Sequence, residues 1–166
     1  MEVRSVEAIV RALDTANVQY LIVGGLAVVA HGYERLTRDV DLVIGLEPEN
    51  ITRGLHALQS IDYHMAIPVT AEEFANPTTR EDWRREKNMI ALRLWSGAHR
   101  RTPIDVFVYE PFDFNVEFAS VQRLSIANGL TAPVVSYATL LAMKQSAGRG
   151  KDLLDIQALS KLDSYR

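Results

Sequence analysis

The sequence predicts an α+β protein in which a mixed β-sheet is flanked by helices, with further helices at the C-terminal end. Short β-prone apolar runs (QYLIV, DVDLVI, MIALRLW and PIDVFVY) are separated by stretches whose apolar residues recur every three or four positions. The runs also stop at turn residues, above all at Gly24-Gly25 and in the SGAHRRT segment.

Val6, Ile9, Val10 and Leu13 fall at helical intervals, which predicts an amphipathic helix over residues 4–16. QYLIV (19–23) then ends at Gly24-Gly25 as a buried strand does, and the wholly apolar residues 26–30 fit a short buried helix stopped by His31-Gly32. In DVDLVI (39–44) strand alternation puts Asp39 and Asp41 on one face and Val40 and Leu42 on the other. Pro48 opens a helix reaching about Ser60. Residues 62–88 are less regular, and fit a strand within 63–69 and a charged helix from about Thr79 to Lys87. MIALRLW and PIDVFVY read as an antiparallel hairpin, and residues 121–135 as a second strand pair around Asn128-Gly129. Ser136 caps a helix running through Lys144, and a last helix begins near Lys151 with Leu153, Leu154, Ile156 and Leu159. Neither an internal repeat nor a linker divides the chain, so residues 1–166 read as one domain whose C-terminal helical part spans about 136–166.

Composition narrows the chemistry. The 166 residues are 48% hydrophobic and 23% charged, as in an ordinary globular domain. Without cysteine there is no disulfide framework and no thiolate metal site, so any metal must be held by oxygen or imidazole. No apolar run approaches the roughly 18 residues of a membrane span, and the expectation is a cytoplasmic protein with no membrane partner. A net charge of −3 argues against a surface that is basic throughout. Residues 80–101 nevertheless hold seven basic residues against three acidic ones, either a solvated helix face or a surface for a polyanion.

The informative block is VGGLAVVAHGYERLTRDVDLVI (23–44). Asp is disfavoured in strands and two like charges on one face repel, so Asp39 and Asp41 call for a compensating charge. A divalent cation fits, because Mg²⁺ prefers carboxylate oxygen and period-two spacing sets both acids on one side. Asp105 interrupts the apolar strand PIDVFV, and if the two strands are neighbours it joins the pair. Backbone N–H groups after Gly24-Gly25, at a helix start, suit phosphate, and glycine lets an anion come close. No P-loop, G-x-G-x-x-G or G-x-S-x-G motif is present, and the histidines lack metal-ligand spacing.

Gly24-Gly25, thirteen intervening residues, then Asp39-Val40-Asp41 and a later apolar-flanked Asp105, resembles the signature of the polymerase β-type nucleotidyltransferase superfamily. GGLAVVAHGYERLTRDVDL and LLAMKQSAGRGKDLLDIQAL are similar to its bacterial branch of minimal and abortive-infection-toxin nucleotidyltransferases. These blocks cover about a third of the chain, and residues 45–88 carry none of the resemblance. The resemblance implies that fold, and Gly24 and Gly25 on nucleotide phosphates. It also implies Asp39 and Asp41 bridging two Mg²⁺ ions, with Asp105 joining the ion that activates an acceptor hydroxyl.

Lys144, Arg149 and Lys151 become candidates for the triphosphate of an NTP, with Arg38 or Arg35 facing an anion from the loop before the acids and Asp152 and Asp155 orienting the cations or capping the last helix. His31 reads as structural. The implied activity is NMP transfer from an NTP to a hydroxyl on RNA, protein or a small molecule, with a toxin role and an antitoxin partner among the expectations. The alternative is an inactive copy serving as a binding or antitoxin module, against which all three acids and both glycines are retained.

Overall fold

The computed structural model describes residues 1–127 and 129–164. Its elements run α1 (Val3–Thr15), β1 (Tyr20–Val23), α2 (Gly24–Ala30), β2 (Val40–Ile44), α3 (Pro48–Gln59), β3 (Tyr63–Met65), α4 (Ala71–Ala75), α5 (Pro77–Lys87), β4 (Ala91–Ser96), β5 (Ile104–Phe107), α6 (Phe114–Ala119), β6 (Gln122–Ala127), β7 (Leu130–Val134), α7 (Tyr137–Ala147) and α8 (Gly150–Asp163). The strands form one mixed sheet in the order β3-β4-β5-β2-β1-β7-β6. Both expected hairpins are present, β4 with β5 and β6 with β7, although Asn128 of the second turn lies outside the described residues.

The two halves of the sheet are covered differently, and this positions the site. All four residues of β1 are buried, with α2 packed against β1, β2 and β6. At β4 burial alternates strictly: Leu92, Leu94 and Ser96 are inside, while Arg93 and Trp95 are exposed. One face of the β3-β4-β5 half is therefore packed and the other lies open.

Two elements were not foreseen. Helix α4 sits behind a capping box in which Thr70 accepts from the Glu73 N–H and the Glu73 carboxylate accepts from the Thr70 N–H. Helix α6 is capped by Asp113. In α8 the apolar pattern holds only in part: Leu159 is inside as expected, but Leu153 and Leu154 are exposed and Asp152 and Asp155 are buried in their place.

Asn50 ties the strand pair that carries the acids. Its side-chain oxygen accepts from the Gln19 N–H at 2.8 Å, and its amide donates to the carbonyls of Gln19 at 3.0 Å and Gly45 at 2.8 Å. The side chain is buried, so no water replaces these bonds. Asn50→Ala should lower the unfolding free energy by about 2–3 kcal/mol in denaturant melts; a loss below about 0.5 kcal/mol would mean that the strand ends hold without the clamp.

Candidate active site

Register brings the three acids together. Strands β2 and β5 are parallel neighbours with Asp41 directly opposite Asp105, and Asp39 precedes Asp41 on the same face. One carboxylate oxygen from each of Asp39, Asp41 and Asp105 lies within 4.8 Å of the others. The alternation buries Val40, Leu42, Ile104 and Val106 completely on the opposite face, so the acids cannot turn inward without expelling the core.

The glycines serve this cluster directly. Gly24 has φ +64°, and a Cβ there would fall 1.9 Å from an Asp41 carboxylate oxygen, so no side chain fits in either conformation or space. Asp41 also accepts the Gly25 backbone N–H. At Gly25 a Cβ would meet Thr37 Oγ1 at 2.6 Å and an Arg35 guanidinium nitrogen at 2.7 Å. Close packing inside the protein thus requires both glycines, before any ligand is considered.

The predicted cations divide into three groups. Lys144 is 6% exposed, and its ammonium lies 3.1 Å from Asp152 and 2.7 Å from Asp155. Arg35 holds both oxygens of Asp155 at 2.9 Å, and Arg149 Nε lies 2.7 Å from Asp152. Burial pushes the Asp152 carboxyl up, but its bonds to Arg149 and Lys144 outweigh that and leave it below the usual range. Arg149 and Lys151 face the cluster electrostatically: bonding to Asp152 mainly raises the Arg149 pKa, and the charges of Asp41 and Asp39 add to it, while Lys151 pulls Asp41 down. Arg38 is exposed in the loop directly before Asp39. Along residues 33–39 Tyr33, Arg35, Thr37 and Asp39 are partly buried while Glu34, Leu36 and Arg38 are exposed. His31 is structural, its Nε2 lying 2.9 Å from the Val135 carbonyl.

Sequence reasoning missed Arg93 as a site residue. It stands opposite Asp105 on β4 and grips both its oxygens, at 2.8 and 2.7 Å, with Asp39 3.5 Å away. Hydrogen bonding and charge from Asp105 raise the Arg93 pKa. The signal was the alternation of MIALRLW, which sets Arg93 on the open face.

The donor set suits a hard divalent cation. Three carboxylates converge, and burial followed by the charges of Asp39 and Asp105 pushes Asp41 up to about 6 against the Gly25 N–H and Lys151. Raised this way, Asp41 holds its proton more tightly folded than unfolded. Its contribution to stability is present below the unfolded pKa near 4 and is lost as pH rises through about 6. In chelator, the stability of wild type relative to Asp41→Asn should fall by on the order of 2 kcal/mol between about pH 4 and 6.5. Denaturant melts measure this, and a difference independent of pH would contradict the crowding.

No protein-family model and no curated protein sequence matches the chain. Among solved structures it is similar to the lincosamide antibiotic adenylyltransferase LnuA, determined with lincomycin bound, at a TM-score of 0.60 and 15% identity. That similarity covers 96% of this chain and 97% of the other. No helix among the described residues is long and apolar enough to cross a membrane. The likeness is one of architecture, and by it the chain has the mixed-sheet nucleotidyltransferase fold.

Proposed function

We propose that this protein is a Mg²⁺-dependent nucleotidyltransferase that moves NMP from an NTP to a hydroxyl, and that residues 1–166 act as one unit. The observation that carries this reading is the convergence of Asp39, Asp41 and Asp105 from two adjacent strands beside the Gly24-Gly25 turn. Asp39 and Asp41 would hold two Mg²⁺ ions and Asp105 one of them. Bound there, the ions would neutralise charge on the phosphates and make the acceptor hydroxyl more acidic.

In the reaction the acceptor oxygen bonds to the α-phosphorus and the bond from that phosphorus to the oxygen bridging the β-phosphate breaks. Pyrophosphate leaves with the electron pair, and the hydroxyl proton passes to the Asp105 carboxylate. Arg149 and Lys151, with Arg35 behind them, supply positive charge where the triphosphate would lie. Lys144, tied to Asp152 and Asp155, acts by fixing α8 and hence Arg149 and Lys151 beside the acids. Most of the rate enhancement would come from positioning and charge neutralisation.

The fold shared with an enzyme named for adenylyl transfer to a lincosamide supports nucleotidyl transfer and makes a small molecule one acceptor class. RNA or protein as acceptor draws on the basic stretch at 80–101. A toxin role and an antitoxin partner rest on the sequence resemblance, and a cytoplasmic location rests on composition.

Mg²⁺ and NTP together should raise the melting temperature more than either alone, because the ions would bridge carboxylates and phosphates. Equal stabilisation by NTP with and without Mg²⁺ would overturn the reading. Asp105→Asn should keep that joint stabilisation through Asp39 and Asp41 yet lose pyrophosphate release by on the order of 100-fold or more. An Asp105→Asn protein that turns over normally would remove Asp105 from the chemistry.

A further inference from the structure

The open face of the sheet continues directly from the acids. Register sets Asp41, Asp105 and Arg93 in one row across β2, β5 and β4. Two residues away along the strands, the next row on this face runs from Asp39 past Pro103 toward Trp95, which pairs with His64 on β3. Trp95 is 52% exposed, on the same face as Arg93 and about 10 Å, two strand spacings, from Asp39. The His64 ring lies 5.5 Å from it. On the other side of Asp105 the same face carries Phe107 and Tyr109, with the Arg84 guanidinium 3.8 Å over the Tyr109 ring.

Within the proposed reaction, in-line displacement fixes the direction from which the acceptor comes. The cations suited to the triphosphate, Arg149 at the N-cap of α8 and Lys151 in its first turn, are tied through the Asp155 and Arg35 bridge to the Gly25 turn at the end of β1. Pyrophosphate leaves toward them, so the attacking oxygen enters from the opposite side, over β5, β4 and β3. That side is the open face that carries Trp95.

We infer that this face binds single-stranded nucleic acid as the acceptor, with an unpaired base stacked on Trp95. The inference rests on the nucleotidyltransferase reading and names its substrate class. Trp95 is an exposed ring beside the exposed His64, and although Arg80 is buried and Arg93 is held by Asp105, Arg84, Arg85, Lys87, Arg100 and Arg101 of the same stretch are exposed, a combination that suits a stacked base and a phosphate backbone. The neighbouring Asp62 accepts from the Ala98 N–H at 3.1 Å and Ser96 Oγ at 2.9 Å, bonds that hold its carboxyl down at about 2 and keep it charged at the edge of this face. Arg100 and Arg101 lie in the turn that follows β4.

The test measures fluorescence anisotropy of a labelled eight-nucleotide single-stranded oligoribonucleotide with the full chain, beside the same sequence as a duplex. Wild type should bind the single strand at least several-fold more tightly, with affinity falling as salt rises. Trp95→Ala should weaken binding by on the order of 10-fold and Trp95→Phe should restore most of it, while Mg²⁺–NTP stabilisation stays as in wild type. Equal binding by wild type and Trp95→Ala, preference for duplex, or wild-type self-association lost in Trp95→Ala without oligonucleotide binding would each overturn the inference. Pyrophosphate release without oligonucleotide binding would sink the acceptor class alone. Oligonucleotide binding without Mg²⁺–NTP stabilisation would sink the enzyme reading instead.

Discussion

The structure turns on one unfavourable arrangement, three carboxylates held side by side by strand pairing. Asp41 stands opposite Asp105 because the β2-β5 register is fixed by buried Val40, Leu42, Ile104 and Val106, and a slip of one residue would send both acids into the core. Like charges opposed across a pair of strands destabilise a sheet. Here the repulsion is met on two sides. Arg93 neutralises Asp105 from β4, and the Gly25 N–H and Lys151 draw on Asp41 from the side of α2 and α8. The Arg93 guanidinium, 2.7 Å from Asp105 and 3.5 Å from Asp39, offsets part of that repulsion.

A second charge network couples this centre to the C-terminal helices. Asp152 and Asp155 are almost fully buried, and Lys144, Arg35 and Arg149 surround them. Removing one partner from such a network leaves an uncompensated buried charge and costs about 3–5 kcal/mol. The network links α7, α8 and the loop before β2, so the cations of α8 cannot drift independently of the acids. Its electrostatics serve geometry, which matters most in a reaction governed by positioning.

Legibility differed by region for physical reasons. Strands β1, β2, β4 and β5 were readable because their apolar residues are confined to one face or to short fully buried runs. The three acids were readable because an Asp in a strand is costly enough to demand an explanation. Helices α4 and α6, of five and six residues, are too short to show a period and are set by their caps. In α8 hydrophobicity marked Leu159 correctly but missed that buried Asp152 and Asp155 complete the inward stripe while Leu153 and Leu154 face solvent. Arg93 was hidden among seven basic residues of a charged stretch, and its role follows from a cross-strand partner twelve residues away.

The chain has two tryptophans, in opposite surroundings. Trp83 is 6% exposed and meets Phe74 edge-on at 6.0 Å, whereas Trp95 stands half in solvent on the open half of the sheet. Indole emission shifts with the polarity around the ring, so the unlabelled protein carries two intrinsic optical probes. One reports the integrity of the core and the other the state of the open face, and a quencher confined to solvent separates them.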